Sequence, residues 1–577
     1  MSSININEKA NLIWSIADKI TGVYKPHEYG EIILPLTVLR RFDCVLESTK
    51  NDVLKEYEKM GSSKNIQSLE DKKLKKVSGY DFYNVSKFTF SKLLDDPDNI
   101  EVNFQNYLNG FSENTREIIE KFKFDPHIVR LSEKGLLYIV LKEFTSTKAD
   151  MHPDKISNVD MGYIFEEIIR RFSESHNEQA GQHYTPREVI ELMVNILFID
   201  TVSLSSSTPK TIYDPACGTG GMLSVAEEYL KKMNNSMKLL GFGQELNDQT
   251  YAICKADMLI KGDNASENIK SGNTISNDQF KGMEFDYILC NPPFGREWKV
   301  EKSVVDQEAK VGLAGRFGYG LPSIVDSQML FLLIAIFKMK KNTKEGTRIA
   351  IIHNGSPLFV GDAGSGPSEI RRYILENDLL EAIIALPNDI FYNTGITTYI
   401  WVLANKKSSK RKGKVQLVDA SEMYEKRRKS LGGKRNNISK YYIDEVTKIY
   451  GNFSESEVSK IFNNEDFGYS KITIERPLLD DTENPIIKNK KMQPDASKRD
   501  TENVPLTENI QTYFNREVLP FVPDAWIDES KTKIGYEIPF TRYFYKYESP
   551  VPSNKLMKEI KKLEKELLGS LDDLFQN

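Results

Sequence analysis

Apolar residues fall into three textures along the chain, and each predicts a different kind of structure. From Glu8 to about Asp150 they recur at helical spacing, as in Leu12, Ile16 and Ile20 and again in Ile32, Leu36 and Leu39, the mark of helices with one buried face. Within that region Lys50 to Lys76 is rich in charge, Ser and Lys and reads as a connecting or loosely packed helical stretch. Between about Ile156 and Ala420 short β-branched runs alternate with amphipathic segments: Thr211–Tyr213, Leu239–Gly243, Phe285–Cys290, Arg348–His353, Leu380–Leu386 and Tyr399–Leu403. This alternation predicts βαβ units and a mostly parallel sheet, an α/β fold, with an antiparallel edge where the last runs crowd together. Past Lys406 the chain turns basic, from Lys407, Lys410 and Arg411 to Lys434 and Arg435, and Asp480 to Val504 reads as a polar loop or linker. The end is a charged amphipathic helix carrying Leu556, Ile560, Leu563, Leu567, Leu571 and Leu574, at a heptad-like spacing that favours a partner helix. The textures divide the chain into a helical N-terminal domain (1–155), an α/β catalytic domain (156–420) and a C-terminal region with the partner-binding helix (421–577).

Composition narrows the class. A length of 577 residues gives a prior of about three or four domains. The longest apolar run, Met329 to Phe337, is nine residues, too short to span a bilayer. Met1 to Ser15 lacks a basic start followed by an apolar stretch, so no secretory signal is expected. The cysteines at 44, 217, 254 and 290 form no C-x-x-C pair, and the histidines show no ligand spacing, so no metal is expected. These features point to a cytoplasmic enzyme without membrane contact. The net charge is −5, from 78 basic and 83 acidic side chains. Phosphate binding needs clustered Lys and Arg, so a DNA-acting reading calls for a partner that adds DNA affinity. The basic run from Lys406 to Arg435 is either a phosphate contact or a solvated loop.

Four segments in order carry the chemistry. Asp214-Pro215-Ala216-Cys217-Gly218-Thr219-Gly220-Gly221 follows one strand and opens a helix. Glycines there let a ligand approach the backbone, and Asp214 suits an amine or sulfonium better than a pyrophosphate. Glu245 ends the next strand, 24 residues beyond Gly221, where an acid takes ribose hydroxyls. Asn273, in Gly272-Asn273-Thr274, would meet an adenine edge, with Asp257 as a competitor. The fourth segment is a strand running into Asn291-Pro292-Pro293-Phe294. Two prolines fix φ and remove donors, so the Asn291 oxygen and the Pro292 carbonyl would hold the two N–H bonds of a conjugated amine. Phe294 would stack on its base.

In this order the segments resemble an amino-group DNA methyltransferase, and the flanks are similar to the methylation subunit of type I restriction-modification systems. Those flanks are Gly181-Gln182-His183-Tyr184-Thr185-Pro186-Arg187-Glu188, Arg316 to Pro322, Glu369 to Tyr373, and Ala385-Leu386-Pro387 with Phe391 to Ile396. The resemblance implies a Rossmann-like S-adenosylmethionine-dependent methyltransferase domain between a helical N-terminal domain and a helical C-terminal tail. It implies transfer of a methyl group from S-adenosylmethionine to adenine N6 in specific double-stranded DNA sites. Asp214, Gly218 and Gly220 would hold the methionine part with Gln182, Tyr184, Thr185 and Pro186. Glu245 would bind ribose, and Asn273 would stand where the fold often places an Asp. Asn291, Pro292, Pro293 and Phe294 would act on an adenine flipped out of the duplex, and Asn291 would also contact the cofactor. The implied partners are DNA, a specificity subunit and a restriction/translocase subunit, with two copies of this chain per complex. The rivals are methylation of cytosine N4 or of a glutamine amide, a binding protein without turnover, and a fused methyltransferase-nuclease. Gly361 to Gly366 echoes a phosphate loop, but Pro367 replaces the lysine, so ATP binding is rejected.

Overall fold

The helical periodicity of the N-terminal region becomes a series of helices from Ile6–Ile20 and Tyr29–Leu46 to Leu137–Phe144. The structure is a computed structural model that describes residues 6–61, 68–174, 185–199, 209–262, 264–392, 394–488, 491–545 and 552–575. Ile16, Ile20, Ile32, Leu36 and Leu39 enter one apolar cluster with Phe42 and Phe104. That cluster also takes in Ile253, Ala256 and Leu259 of the helix Asp248–Lys261, which belongs to the α/β region. Buried Arg41 reinforces the junction, donating to the Ile156 carbonyl at 2.9 Å and to Asn158 Oδ1 at 2.7 Å. The stretch Lys50 to Lys76 is better packed than its charge implied. Its helices Lys50–Lys59 and Ser68–Ser78 close around Val53, Leu74 and Tyr83, with the Lys50 ammonium on Asn84.

The α/β region supplies the strands β1 (Lys210–Asp214), β2 (Leu239–Glu245), β3 (Ile269–Ser271), β4 (Tyr287–Cys290), β5 (Arg348–Asn354), β6 (Leu380–Ala385), β7 (Thr398–Ala404) and β8 (Lys414–Asp419). A hairpin of β9 (Glu425–Leu431) and β10 (Lys434–Asn437) follows, and then β11 (Ser459–Asn463). The first eight strands and β11 build one nine-stranded sheet, in the spatial order β11-β8-β6-β7-β5-β4-β1-β2-β3. From β3 to β5 all pairings are parallel. The antiparallel strand expected at an edge instead lies inside the sheet, because β7 inserts between β5 and β6. Its seven residues are all buried, which an edge position would not allow. The outer edge is β11, antiparallel to β8, so the sheet continues beyond residue 420.

After β11, β12 (Gly468–Glu475) pairs with Asp500–Pro505, Trp526–Ile527 and Lys533–Tyr536 in a small antiparallel sheet. The expected linker from Asp480 to Val504 therefore holds a strand, whose Val504 covers Ile472 and Ile474 of β12. Residues 539–577 form a separate unit with helices Phe540–Phe544 and Ser553–Phe575. Among the described residues no helix is long and apolar enough to cross a membrane.

Candidate active site

The chain runs from β1 outward to β2 and β3, then returns to place β4 on the other side of β1. Such a reversal opens a crevice at the carboxyl ends of parallel strands. A cavity of about 450 Å³ lies there, lined by the 214–219 turn, Glu245, Asn273 to Ile275, Asn291 and Pro293. The sheet thus gathers the ends of β1, β2 and β4, which are far apart along the chain, into one place.

Asp214 closes β1. Its Oδ1 accepts the Ala216 N–H at 3.0 Å, while its buried Oδ2 has no hydrogen-bond partner among the described residues. Burial pushes this carboxyl up to about 7, the Glu245 charge adds to the rise, and the Ala216 N–H and Cys290 thiol oppose it. The following turn depends on Gly220, at φ +82°, where an added Cβ would stand 2.7 Å from Cys254 Sγ. Gly218 donates its N–H to Glu245 Oε2 at 2.8 Å, and Asn247 donates to Oε1 at 2.8 Å. Burial raises the Glu245 carboxyl and these N–H groups hold it down. Each carboxylate oxygen keeps a second acceptor site, so ribose hydroxyls remain within its chemistry.

Asn273 lines the cavity, but its Oδ1 accepts the Ile275 N–H at 2.9 Å and its Nδ2 donates to Glu301 at 2.5 Å. The oxygen expected to face an adenine is thus taken up by its own turn. Asp257, the competitor, is absent from the lining; it lies in the protein interior, pushed up to about 7 by burial and drawn down by Arg41. Asn291 follows β4 and donates from Nδ2 to Thr185 Oγ1 at 2.9 Å. Pro292 is buried and Pro293 is half-buried on the cavity wall. Phe294 is 8% exposed and belongs to an apolar cluster with Leu289 and Ile352. Pro186 stands off the lining and accepts the first N–H groups of the helix Arg187–Leu197. Gln182 and Tyr184 lie outside the described residues.

Glu166 belongs to no motif in the sequence, yet it joins the site. It stands on the helix Asn158–Glu174, lines the cavity and accepts from the Thr219 hydroxyl at 3.3 Å. An added Cβ on Gly221 would come within 2.7 Å of its Oε1, so the glycine turn and this carboxyl fit together. Burial pushes it up to about 8, the Thr219 hydroxyl opposing. Arg316, which the sequence marks only as part of a flank, clamps the cavity wall from behind. It donates to the Thr274 and Ile275 carbonyls at 2.8 and 2.7 Å and pairs with Glu308. Arg371 likewise is structural, donating to the carbonyls of Tyr536 and Pro357.

Three carboxyls therefore open into one cavity, and Arg296 is the cation among the described lining residues. A ligand with an ammonium, a positively charged sulfur and a ribose diol fits this set of acceptors, the buried Asp214 Oδ2 among them. The sheet order, glycine turn and acidic crevice define a Rossmann-like methyltransferase that uses S-adenosylmethionine.

The model of the N-6 DNA methylase family matches residues 157–476, and that of the HsdM N-terminal domain matches residues 9–144. The chain belongs to the N-6 DNA methylase family: it is an adenine-specific DNA methyltransferase of the type I methylation-subunit kind. It is similar to the type I restriction enzyme MjaIX methylase subunit of Methanocaldococcus jannaschii, 26% identical over 488 residues that cover 81% of this chain and 80% of that one. The HindI methylase subunit of Haemophilus influenzae is 28% identical over 265 residues, 46% of this chain and 54% of its own. The methyltransferase subunit of a type I restriction-modification system from Streptococcus thermophilus shares the fold, with a TM-score of 0.62 at 20% identity over 80% of this chain and 97% of that one.

Proposed function

We propose that Asn291 is the residue that receives the target adenine, and that the cavity beside it holds S-adenosylmethionine. One observation carries this reading: Asn291 shares a cavity with Asp214 and Glu245 while its NH₂ group is engaged by Thr185. An amide held by its nitrogen acts on a substrate N–H through its oxygen. The Asn291 oxygen and the Pro292 carbonyl accept the two amino hydrogens of adenine and draw its nitrogen out of conjugation. Phe294 and Pro293 stiffen that turn.

Asp214 and Glu166 face the charged methionine end of the cofactor, the Gly218 to Gly221 turn gives its backbone room, and Glu245 takes the ribose. Residues Asn273 to Ile275 wall the adenine end, with the contact made by the turn as a whole. S-adenosylmethionine, when bound, would supply a methyl carbon made electrophilic by its bond to a positively charged sulfur, which leaves as a neutral thioether. The protein's part is to hold acceptor and donor in line and dry, which is where orientation lowers a barrier most. Adenine N6 is out of reach in a stacked duplex, so the base leaves the helix at a cost of a few kcal/mol.

In the cytoplasm the chain works as the modification subunit beside a specificity subunit that chooses the site and a restriction/translocase subunit, two copies per complex. The leucine spacing of the helix Ser553–Phe575 suits a helical partner surface. The test is methyl transfer to duplex DNA by the complex, wild type against Asn291→Ala, with cofactor affinity measured by calorimetry. Loss of transfer with retained cofactor binding is expected; undiminished transfer rejects the assignment.

A further inference from the structure

The basic run after residue 406 separates into two populations. Lys407, Arg411 and Lys434 are buried and hold the fold. Lys407 pairs with Asp378 at 2.6 Å, Arg411 lies over the Tyr450 ring, and Lys434 bonds Glu188 and the Ile390 carbonyl. The hairpin β9–β10 differs. It carries six Lys and Arg against one acid, Glu425, in a chain of net charge −5. Lys426, Arg428, Lys429 and Arg435 are exposed, and none has an acidic partner among the described residues.

The hairpin is also tied to the site. Gly433 N–H donates to the Tyr392 carbonyl, and the N–H groups of Arg435 and Asn436 both donate to the Asp389 carbonyl. Glu188, the partner of Lys434, stands in the first turn of the helix Arg187–Leu197, three residues after the Thr185 that holds Asn291. A concave surface at its root is lined by Lys426, Arg427, Arg435 and Asn388, with Asp389 and Glu422 as its acids. A cationic ribbon fixed in this way holds phosphates at a set distance from the reacting base, which a floppy basic loop cannot do.

We propose that the exposed cations of this hairpin bind the DNA backbone flanking the target adenine. The proposal rests on the reading that Asn291 receives that adenine. It calls for phosphate binding and no base reading, because long cations on a twisted ribbon match a repeating charge. It also gives an acidic chain its own local grip on DNA.

The experiment replaces Lys426, Arg428, Lys429 and Arg435 together by Ala in the full chain and titrates a fluorescent duplex at a series of salt concentrations. The slope of log affinity against log salt is expected to shrink by about 0.9 for each phosphate that the variant no longer neutralises, with cofactor affinity by calorimetry unchanged. A control replaces the exposed Lys55, Lys59, Lys72 and Lys76 by Ala, the same change of charge on the helical N-terminal region; its slope is expected to stay at the wild-type value. An unchanged slope in the hairpin variant, or an equal reduction in the control, overturns the proposal. Loss of a co-purifying protein subunit with the slope intact also overturns it and makes the hairpin a protein-binding surface. Asn291→Ala is expected to keep the wild-type slope while abolishing methylation, so failure of the catalytic reading would show separately.

Discussion

Replacing Glu166 by Gln keeps the size of a side chain that lines the cavity and removes its charge. Burial lifts this carboxyl from 4.5 to about 8. The folded value lies above the unfolded one, so the folded state binds the extra proton. Its contribution to stability is full below about pH 4.5 and is lost as pH rises through about 8. Deprotonating it in the cofactor-free protein costs at most roughly 5 kcal/mol, reduced by whatever water enters the cavity. The wild-type melting temperature without cofactor is therefore expected to fall between weakly acidic and alkaline pH, and the Glu166→Gln profile to fall less. Asp214 and Asp257, each lifted to about 7, supply slope that remains in the variant. A cationic ligand reverses the preference. Wild-type affinity for S-adenosylmethionine rises with pH across the same window, and binding near neutrality releases protons. Calorimetry in two buffers of different ionisation heat counts them, and Glu166→Gln is expected to release fewer. Equal melting profiles and equal proton counts for the two proteins would refute the reasoning, since Glu166 would then be charged before the cofactor arrives.

Three further outcomes concern single side chains of the site. Thr185→Val removes the hydroxyl that accepts from Asn291 Nδ2; kcat for methyl transfer is expected to fall about fivefold, the worth of roughly 1 kcal/mol, and Thr185→Ser to restore it. Glu245→Ala frees the N–H groups of Gly218 and Asn247 and removes the ribose acceptor, so the calorimetric Kd for S-adenosylmethionine should rise by about tenfold or more. Gly220→Ala puts a side chain on a backbone at φ +82° and against Cys254; denaturant unfolding is expected to show a loss of roughly 1–3 kcal/mol.

Much of the site was legible because parallel strands collect their carboxyl ends. Asp214 and Glu245 end strands and Asn291 follows one directly, and a parallel arrangement of β1, β2 and β4 brings them together. Strand identity does not disclose strand neighbours, so the burial of β7 between β5 and β6 was invisible. Helical spacing likewise places Glu166 on a helix without showing that a glycine turn from another element closes over it. The motif at Phe294 suggests chemistry but does not show the apolar cluster that the side chain joins, which residues remote in sequence build. Lys434 read as part of a basic run that was either a phosphate contact or a solvated loop, yet its partner Glu188 is 246 residues away in sequence. Such pairings are made by the tertiary fold, and no local pattern encodes them.

The most direct measurement is the identity of the product. Duplex DNA incubated with the complex and S-adenosylmethionine is digested to nucleosides and analysed by mass spectrometry, for wild type and for Asn291→Ala. N6-methyladenine is expected from the wild type and none above background from the variant, with cofactor binding retained in both. N4-methylcytosine from the wild type, or equal N6-methyladenine from the variant, would contradict the central claim.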